Sequence, residues 1–307
     1  MLDVHRLMQG REFQTIDEAN AFLATLAGPG LQEALRKAPT LSLQQEAQEL
    51  AYRAMEAPTR ARALTLAQQA LAKDPDCVDA LVTLAAASAR SVEDLIAGLE
   101  KAVSAGEGSL GGKYFEENKG HFWGILETRP YMRARQQLAD LLLDVGRVTE
   151  AIHHFEALLA LNPNDSQGVR DILLGCYLAG DDLDGTRRLL REYNEDDSAV
   201  FNWGRTLEGV LSGDFKGAER SLEHARNHNR FVELYLTGKK KLSRAMPDSY
   251  SFGSEEEALI SMECLGDAWT THPEALIWLL MQVEEVRETD QLLQKKRPGN
   301  PGQPLLF

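Results

Sequence analysis

The chain has 307 residues, with 33 Lys and Arg against 47 Asp and Glu, a formal net charge of −14. That balance argues against nucleic acid, whose phosphates need a strongly basic face, and reads first as solubility. The length fits two ordinary domains or one long stacked array, and either buries a sizeable core.

Cys77, Cys176 and Cys264 are widely spaced, odd in number and free of any CxxC. They fit free, mostly buried thiols in a reducing compartment rather than a disulfide framework. The densest apolar runs, 80–89 and 275–283, are about ten residues, short of the roughly 18 that a membrane helix needs. The start, MLDVHRLMQGREF, lacks the apolar core of a signal peptide, so a cytoplasmic location is expected.

Residues 1–38 read as a helical cap. Thr15 and Glu18 have capping-box spacing, and Gly28-Pro29-Gly30 stops the helix they open. Residues 39–106 read as paired helices. In 44–77, Ala51, Ala63, Ala67 and Ala70 are the small residues that let two helices approach, and Pro75 ends the pair. A second pair follows at 78–106 with Leu81, Leu84, Ala85 and Ala97 in register. Residues 107–130, EGSLGGKYFEENKGHFWGILETRP, break the period and read as an insertion. Tyr114, Phe115, Phe122 and Trp123 are too aromatic for a solvated linker, so an ordered loop is expected, with Trp123 buried.

Residues 131–164 carry the strongest signal: YMRARQQLADLLLDVGRVTEAIHHFEALLALNPN, with Ala139, Ala151, Phe155 and Pro163. This 34-residue spacing resembles a tetratricopeptide (TPR) repeat, a helix, a tight turn and an antiparallel helix. Gly146, Gly180 and Gly213 continue the period in successive turns. TPR-like pairs are therefore expected over 131–230, the last opening near Ser198. A C-terminal helical cap is expected over 231–289, with closing helices at 254–271 and 273–288. The Pro/Gly-rich 290–307 reads as a flexible tail unless Leu305, Leu306 and Phe307 dock. No strand pattern persists, and the helical period dominates.

The stretch from HFWGILETRPYMRAR to HHFEALLALNPNDSQGVR resembles a group of bacterial TPR proteins of largely unassigned role. The block HARNHNRFVELYLTGKKKL with GSEEEALISMECLGDAWTTHPEALIWLL is distantly similar to the C-terminal part of the suppressor-of-tumorigenicity-seven family. Neither resemblance supplies a catalytic residue, and the second implies neither location nor mechanism.

Chemistry is sparse. His153 and His154 point about 100° apart on a helix and cannot ligate one ion together. Cys264 and His272 straddle a helix end and read as structural. Gly106, Gly108 and Gly111 spell G-x-G-x-x-G after a helix rather than a strand, so they read as loop glycines. No P-loop or nucleophile elbow is present. No catalytic, cofactor or metal site is expected.

Binding is the better reading. The first helices of a stack of pairs line its inner surface. TPR positions place Arg133 and Gln136, then Gln167, Arg170 and Tyr177, then Phe201 and Arg205 on that surface. Three arginines on one face of an acidic protein suit carboxylates, which the guanidinium fork binds bidentately. Phe122, Trp123, Arg129 and Tyr131 are expected to clamp the insertion onto the next helix.

The expected protein is an all-α, right-handed TPR-like solenoid of about five pairs, with helical caps. It is expected to be a non-enzymatic adaptor for another protein or peptide, one with an acidic segment or a C-terminal carboxylate. The alternatives are an accessory subunit of an enzyme complex, or a structural protein whose groove its own insertion or tail fills. No nucleic acid, membrane or cofactor is implied.

Overall fold

The structure is a computed structural model that describes Leu7 and residues 15–25, 40–243 and 245–296. Among these residues every regular element is helical, and no helix is long and apolar enough to cross a membrane. Of the N-terminal cap only α1 (Ile16–Thr25) is described, opened by the Glu18 amide donating to the Thr15 hydroxyl at 3.2 Å. The terminal Leu305, Leu306 and Phe307 lie outside the described residues. The chain divides into two compact units, residues 1–145 and 146–307. The division falls in the turn of the repeat that the sequence marks most strongly.

The first unit begins with the hairpin α2 (Leu43–Met55) and α3 (Arg60–Lys73). Ser42 and Gln45 form a full capping box on α2, and the Thr59 hydroxyl caps α3. The seam between the two is built on small residues. Ala47, Ala51, Ala54, Ala67 and Ala70 are all buried, with Leu66 as their larger neighbour. Such a seam brings two backbones close with little side-chain entropy to lose. The hairpin α4 (Val78–Ser88) and α5 (Val92–Leu110) follows, then the short α6 (Gly112–Asn118) and α7 (Arg129–Asp144).

The insertion is more helical than its glycines suggest. Gly106 and Gly108 sit inside α5, and Gly111 ends it at φ +76°. Gly106 is a close-approach residue, not a loop residue. A Cβ there would lie 2.9 Å from the Tyr131 ring and 3.1 Å from Val78. The rest of the insertion packs onto α7 through aromatic rings. Phe115 lies 4.9 Å from Phe122 and 5.2 Å from Tyr131, centroid to centroid. Phe122 is fully buried, while Trp123 is only half-buried. Its ring instead carries the Arg129 guanidinium at 5.5 Å, and Arg129 Nε donates to its carbonyl at 2.9 Å. The burial expected of Trp123 thus belongs to its neighbour Phe122.

The second unit holds α8 (Val148–Leu161), α9 (Val169–Ala179), α10 (Leu183–Glu192), α11 (Ala199–Leu211), α12 (Phe215–His228) and α13 (Phe231–Leu236). It closes with α14 (Glu255–Thr271) and α15 (Pro273–Lys296). The pairs α9/α10 and α11/α12 are helix hairpins, and α8 packs on α9. Gly209 lets α12 approach α11: a Cβ there would stand 3.0 Å from the Ala218 backbone.

Helix α14 does more than close the chain. It packs across α9 and α11, the first helices of their pairs, on the face that carries Gly175 and Trp203. The crossing is tight: a Cβ on Gly175 of α9 would stand 1.9 Å from the Cys264 carbonyl oxygen of α14. Trp203 of α11 and Trp269 of α14, both fully buried, meet edge to face at 6.2 Å. His272 closes the end of α14 by donating from Nε2 to the Leu178 carbonyl at 2.9 Å. At the other end, buried Glu257 accepts from the Ala199 amide at 3.0 Å, the Asn229 side chain at 2.9 Å and the Gly253 amide at 2.7 Å. One carboxylate thus serves the free N-terminal amides of α11 and the approach to α14.

Two measurements check this crossing. In an open helix Gly→Ala stabilises by up to about 1 kcal/mol, and Gly108, with nothing within 4 Å of an added Cβ, should behave so. Gly175→Ala should instead destabilise by about 2–3 kcal/mol, since a backbone carbonyl cannot swing aside as a side chain can. Thermal denaturation of both variants should therefore move in opposite directions; an upward shift for Gly175→Ala would mean α14 does not cross there.

The second concerns Asp171, one turn before Gly175. Burial, then Asp196, pushes its carboxyl up to about 7, against a downward pull from Arg170 and further upward pushes from Asp165 and Glu257. The folded state then holds this proton more tightly than the unfolded chain, whose carboxyl titrates near 4. Stability should fall as pH rises through the interval between the two values, with the full cost present above about 7. Asp171→Asn should raise stability by about 2–4 kcal/mol at pH 8 and change it little at pH 4. The same shift at both pH values would show that the charge is not the cause.

Candidate functional site

With the Gly175 and Trp203 face of α9 and α11 covered by α14, the described cleft of the second unit lies beside it. Arg170 at the start of α9, the loop after α10, His228 at the end of α12 and Phe252 before α14 enclose about 830 Å³. Asp165, at φ +49°, turns the chain into α9 and caps it, accepting from the Val169 and Arg170 amides at 2.9 and 3.0 Å.

The loop Tyr193–Ser198 is held from below. Arg205 donates to the carbonyls of Asp196 at 2.8 Å and Asn194 at 3.2 Å. Asn202, almost fully buried, donates to the Asp197 carbonyl at 2.9 Å and to its Oδ1 at 3.0 Å. The Tyr193 hydroxyl donates to the Pro163 carbonyl at 2.8 Å.

These contacts place the residues expected on the inner surface. Arg170 is half-buried, with its guanidinium 5.0 Å from the Tyr193 ring centroid and 5.8 Å from that of Phe201. It is already paired with Asp196 at 2.7 Å. Phe201 is fully buried between Arg170 and Arg205 rather than presented to a ligand. Arg205 spends its donors on the loop backbone. Tyr177 is buried and turns toward α8, donating to Glu156 at 2.5 Å. Gln167 sits, half-buried, in the turn before α9 rather than on the helix, because Gly168 at φ +73° delays the helix start. Arg133 and Gln136 belong to the first unit. There Arg133 pairs with buried Asp79 at 2.5 Å, which also accepts from Gln48 at 2.6 Å, and Gln136 is half-buried.

The charge of the second unit's cleft is therefore not that of an arginine cluster. Glu192, Glu195, Asp196 and Asp197 line it, against Arg170 and His228. The first unit has a smaller cleft, about 340 Å³, where Gln45, Gln48, Tyr52, Asp76, Glu127 and Tyr131 meet. Its charged members are acidic too.

A group that the sequence reading passed over stands at the edge of the larger cleft. His224 and His228 are four residues apart on α12, with ring centroids 4.4 Å apart. His224 Nε2 is 2.8 Å from Asp197 Oδ1, and His228 Nε2 is 3.0 Å from Oδ2. Hydrogen bonds from Asn202, then His224, hold the Asp197 carboxyl below the usual carboxylate range. The HARNH spacing was the available signal, but Asp197 comes from a loop 27 positions before His224. The two pairings weighed from the sequence resolve differently. His153 and His154 are edge-to-face neighbours at 5.9 Å, and His272 bonds the Leu178 backbone.

Burial pushes the Cys77 and Cys176 thiols up to about 11 and raises Cys264 as well, which leaves all three poor nucleophiles.

No protein-family model and no curated protein matches the chain. Among solved structures it is similar to a Podosopora anserina putative kinesin light chain with nearly identical TPR-like repeats. That similarity has 16% identity and a TM-score of 0.38, and it covers 61% of this chain and 94% of that one.

Proposed function

We propose that the chain is a non-catalytic adaptor that takes a segment of a partner protein in the cleft between Arg170 and Phe252. Phe252 carries the reading. It is 78% exposed at the mouth of a cleft of about 830 Å³, beside the platform of Tyr193 and Arg170. Covering an aromatic ring of this size is worth about 1.5–3 kcal/mol, a useful anchor for a short segment.

Charge selects the segment. The arginines alone suggested an acidic partner, but Arg170 would have to give up Asp196 to take another carboxylate. Four carboxylates line the same space. A segment carrying Lys or Arg next to an apolar residue fits better, since its charges meet the loop while its apolar side chain meets Phe252.

A second reading has its own observation. Helix α14 lies across α9 and α11, so this unit covers part of the first helices of its pairs with its own chain. In that reading the second unit is a structural body, and partners use its rim.

The test is selection of binders from a displayed random-peptide library on the full-length protein. The expected binders combine basic and apolar residues, and they weaken as salt is raised. Phe252→Ser and the exposed-site change Glu195→Lys should each reduce their affinity on the order of tenfold or more without altering the circular dichroism. Binders indifferent to both variants would move the docking surface elsewhere.

A further inference from the structure

We infer that His224, His228 and Asp197 form a binding site for a divalent transition-metal ion of the zinc class. The inference stands apart from the docking reading, because it uses the internal geometry of three side chains.

Residues four apart on a helix lie one above the other on one face. Here both rings turn the same nitrogen, Nε2, to the same carboxylate, at 2.8 and 3.0 Å. The ligand atoms all lie within 4.8 Å of one another. Zinc bonds of about 2.0–2.2 Å in a tetrahedron hold ligand atoms roughly 3.3–3.6 Å apart, so small side-chain rotations suffice. The backbone need not move.

The carboxylate is also oriented as a ligand would be. Asn202 donates to Oδ1 and to the backbone carbonyl of Asp197. Asn202 in turn accepts from Arg205 at 3.3 Å. Metal ligands are characteristically fixed by such outer hydrogen bonds.

The donor set suits a cation. Two imidazole rings 4.4 Å apart and a carboxylate offer three lone pairs to one ion. Glu192, Glu195 and Asp196 add negative potential along the same cleft. Two imidazoles select zinc, copper, nickel or iron over magnesium and calcium, which prefer all-oxygen sites.

The protein supplies three ligands. Asp197 and His228 both line the cleft, so the fourth position faces solvent there. A bound ion would tie the loop between α10 and α11 to the end of α12, stapling one helix pair to the next.

The experiment uses tag-free, full-length protein stripped with a chelator that is then removed. Zn²⁺ is titrated calorimetrically, and Co²⁺ by its visible ligand-field absorption, which reports tetrahedral geometry directly. Wild type should take up one equivalent of either ion. His224→Gln and His228→Gln keep a polar side chain, at an exposed and a half-buried position respectively. Each should weaken Zn²⁺ binding by more than about 100-fold, since loss of an outer-shell partner alone costs 10–100-fold. Asp197→Asn should weaken it as well, and His153→Ala should leave it unchanged. Circular dichroism shows whether each variant is folded, and the wild-type stoichiometry and Co²⁺ spectrum need no variant at all. No one-equivalent uptake by wild type overturns the site and leaves plain carboxylate–imidazole hydrogen bonds. Equal losses in His153→Ala and His224→Gln would also overturn it, because they mark scattered surface binding.

Discussion

A helix hairpin can bury only part of its apolar surface against itself, and what covers the remainder decides what kind of molecule results. In the second unit the remainder is covered by α14. The decisive contact is the crossing at Gly175, where the backbone of α14 approaches so closely that no side chain fits between. Around it the buried Trp203 and Trp269 fill the space that α9 and α11 leave. Glu257 meets the amides at the start of α11 and before α14. A buried carboxylate is costly without partners, and this one has three donors. Shape and polarity thus fix the same docking of α14.

This constraint bears on the proposed function. A face occupied by the chain's own helix is not available to a partner segment, which leaves connections and helix ends for the proposed recognition. The larger cleft is built that way: the turn before α9, the loop after α10, the end of α12 and the approach to α14. Its arginines illustrate the difference between a residue type and a role. Arg205 looks like a ligand-binding cation in the sequence, yet it donates to main-chain carbonyls. Arg170 stands between aromatic rings and a carboxylate.

Much of the helical layout was legible, because it depends on local signals. Ala51, Ala67 and Ala70 are buried where the repeat spacing put small residues, although Ala63 is only half-buried. Helices stand where the pair at 44–77 was expected, whereas α5 runs on to Leu110, into the expected insertion, and α15 to Lys296, into the expected tail. What was not legible depends on packing between distant segments. Gly106 and Gly175 carry no local sign of whether they mark a turn or a close approach; the answer lies in Tyr131 and in Cys264. The inner-surface positions suffered from angular sensitivity, since one residue of register rotates a helical face by about 100°. Tyr177 and Phe201 accordingly sit in helix seams. The pairing of two histidines with Asp197 was out of reach for a related reason: spacing can propose two ligands on one helix, but only the fold brings the third.

The acidic loop ties these threads together. Glu192, Glu195, Asp196 and Asp197 lie within six positions, and their mutual repulsion favours an open, extended chain. The loop is nevertheless drawn in, because its main-chain carbonyls are bound by Arg205 and Asn202, and Asp196 is paired with Arg170. Asp197 is left as the member whose oxygens face two imidazole rings, with an amide fixing its direction. Any positive group that enters, whether a metal ion at Asp197 or a basic side chain nearer Glu195, relieves the same repulsion. The order of this loop thus rests on its backbone bonds, and the cation proposed at Asp197 would meet the charge that those bonds leave.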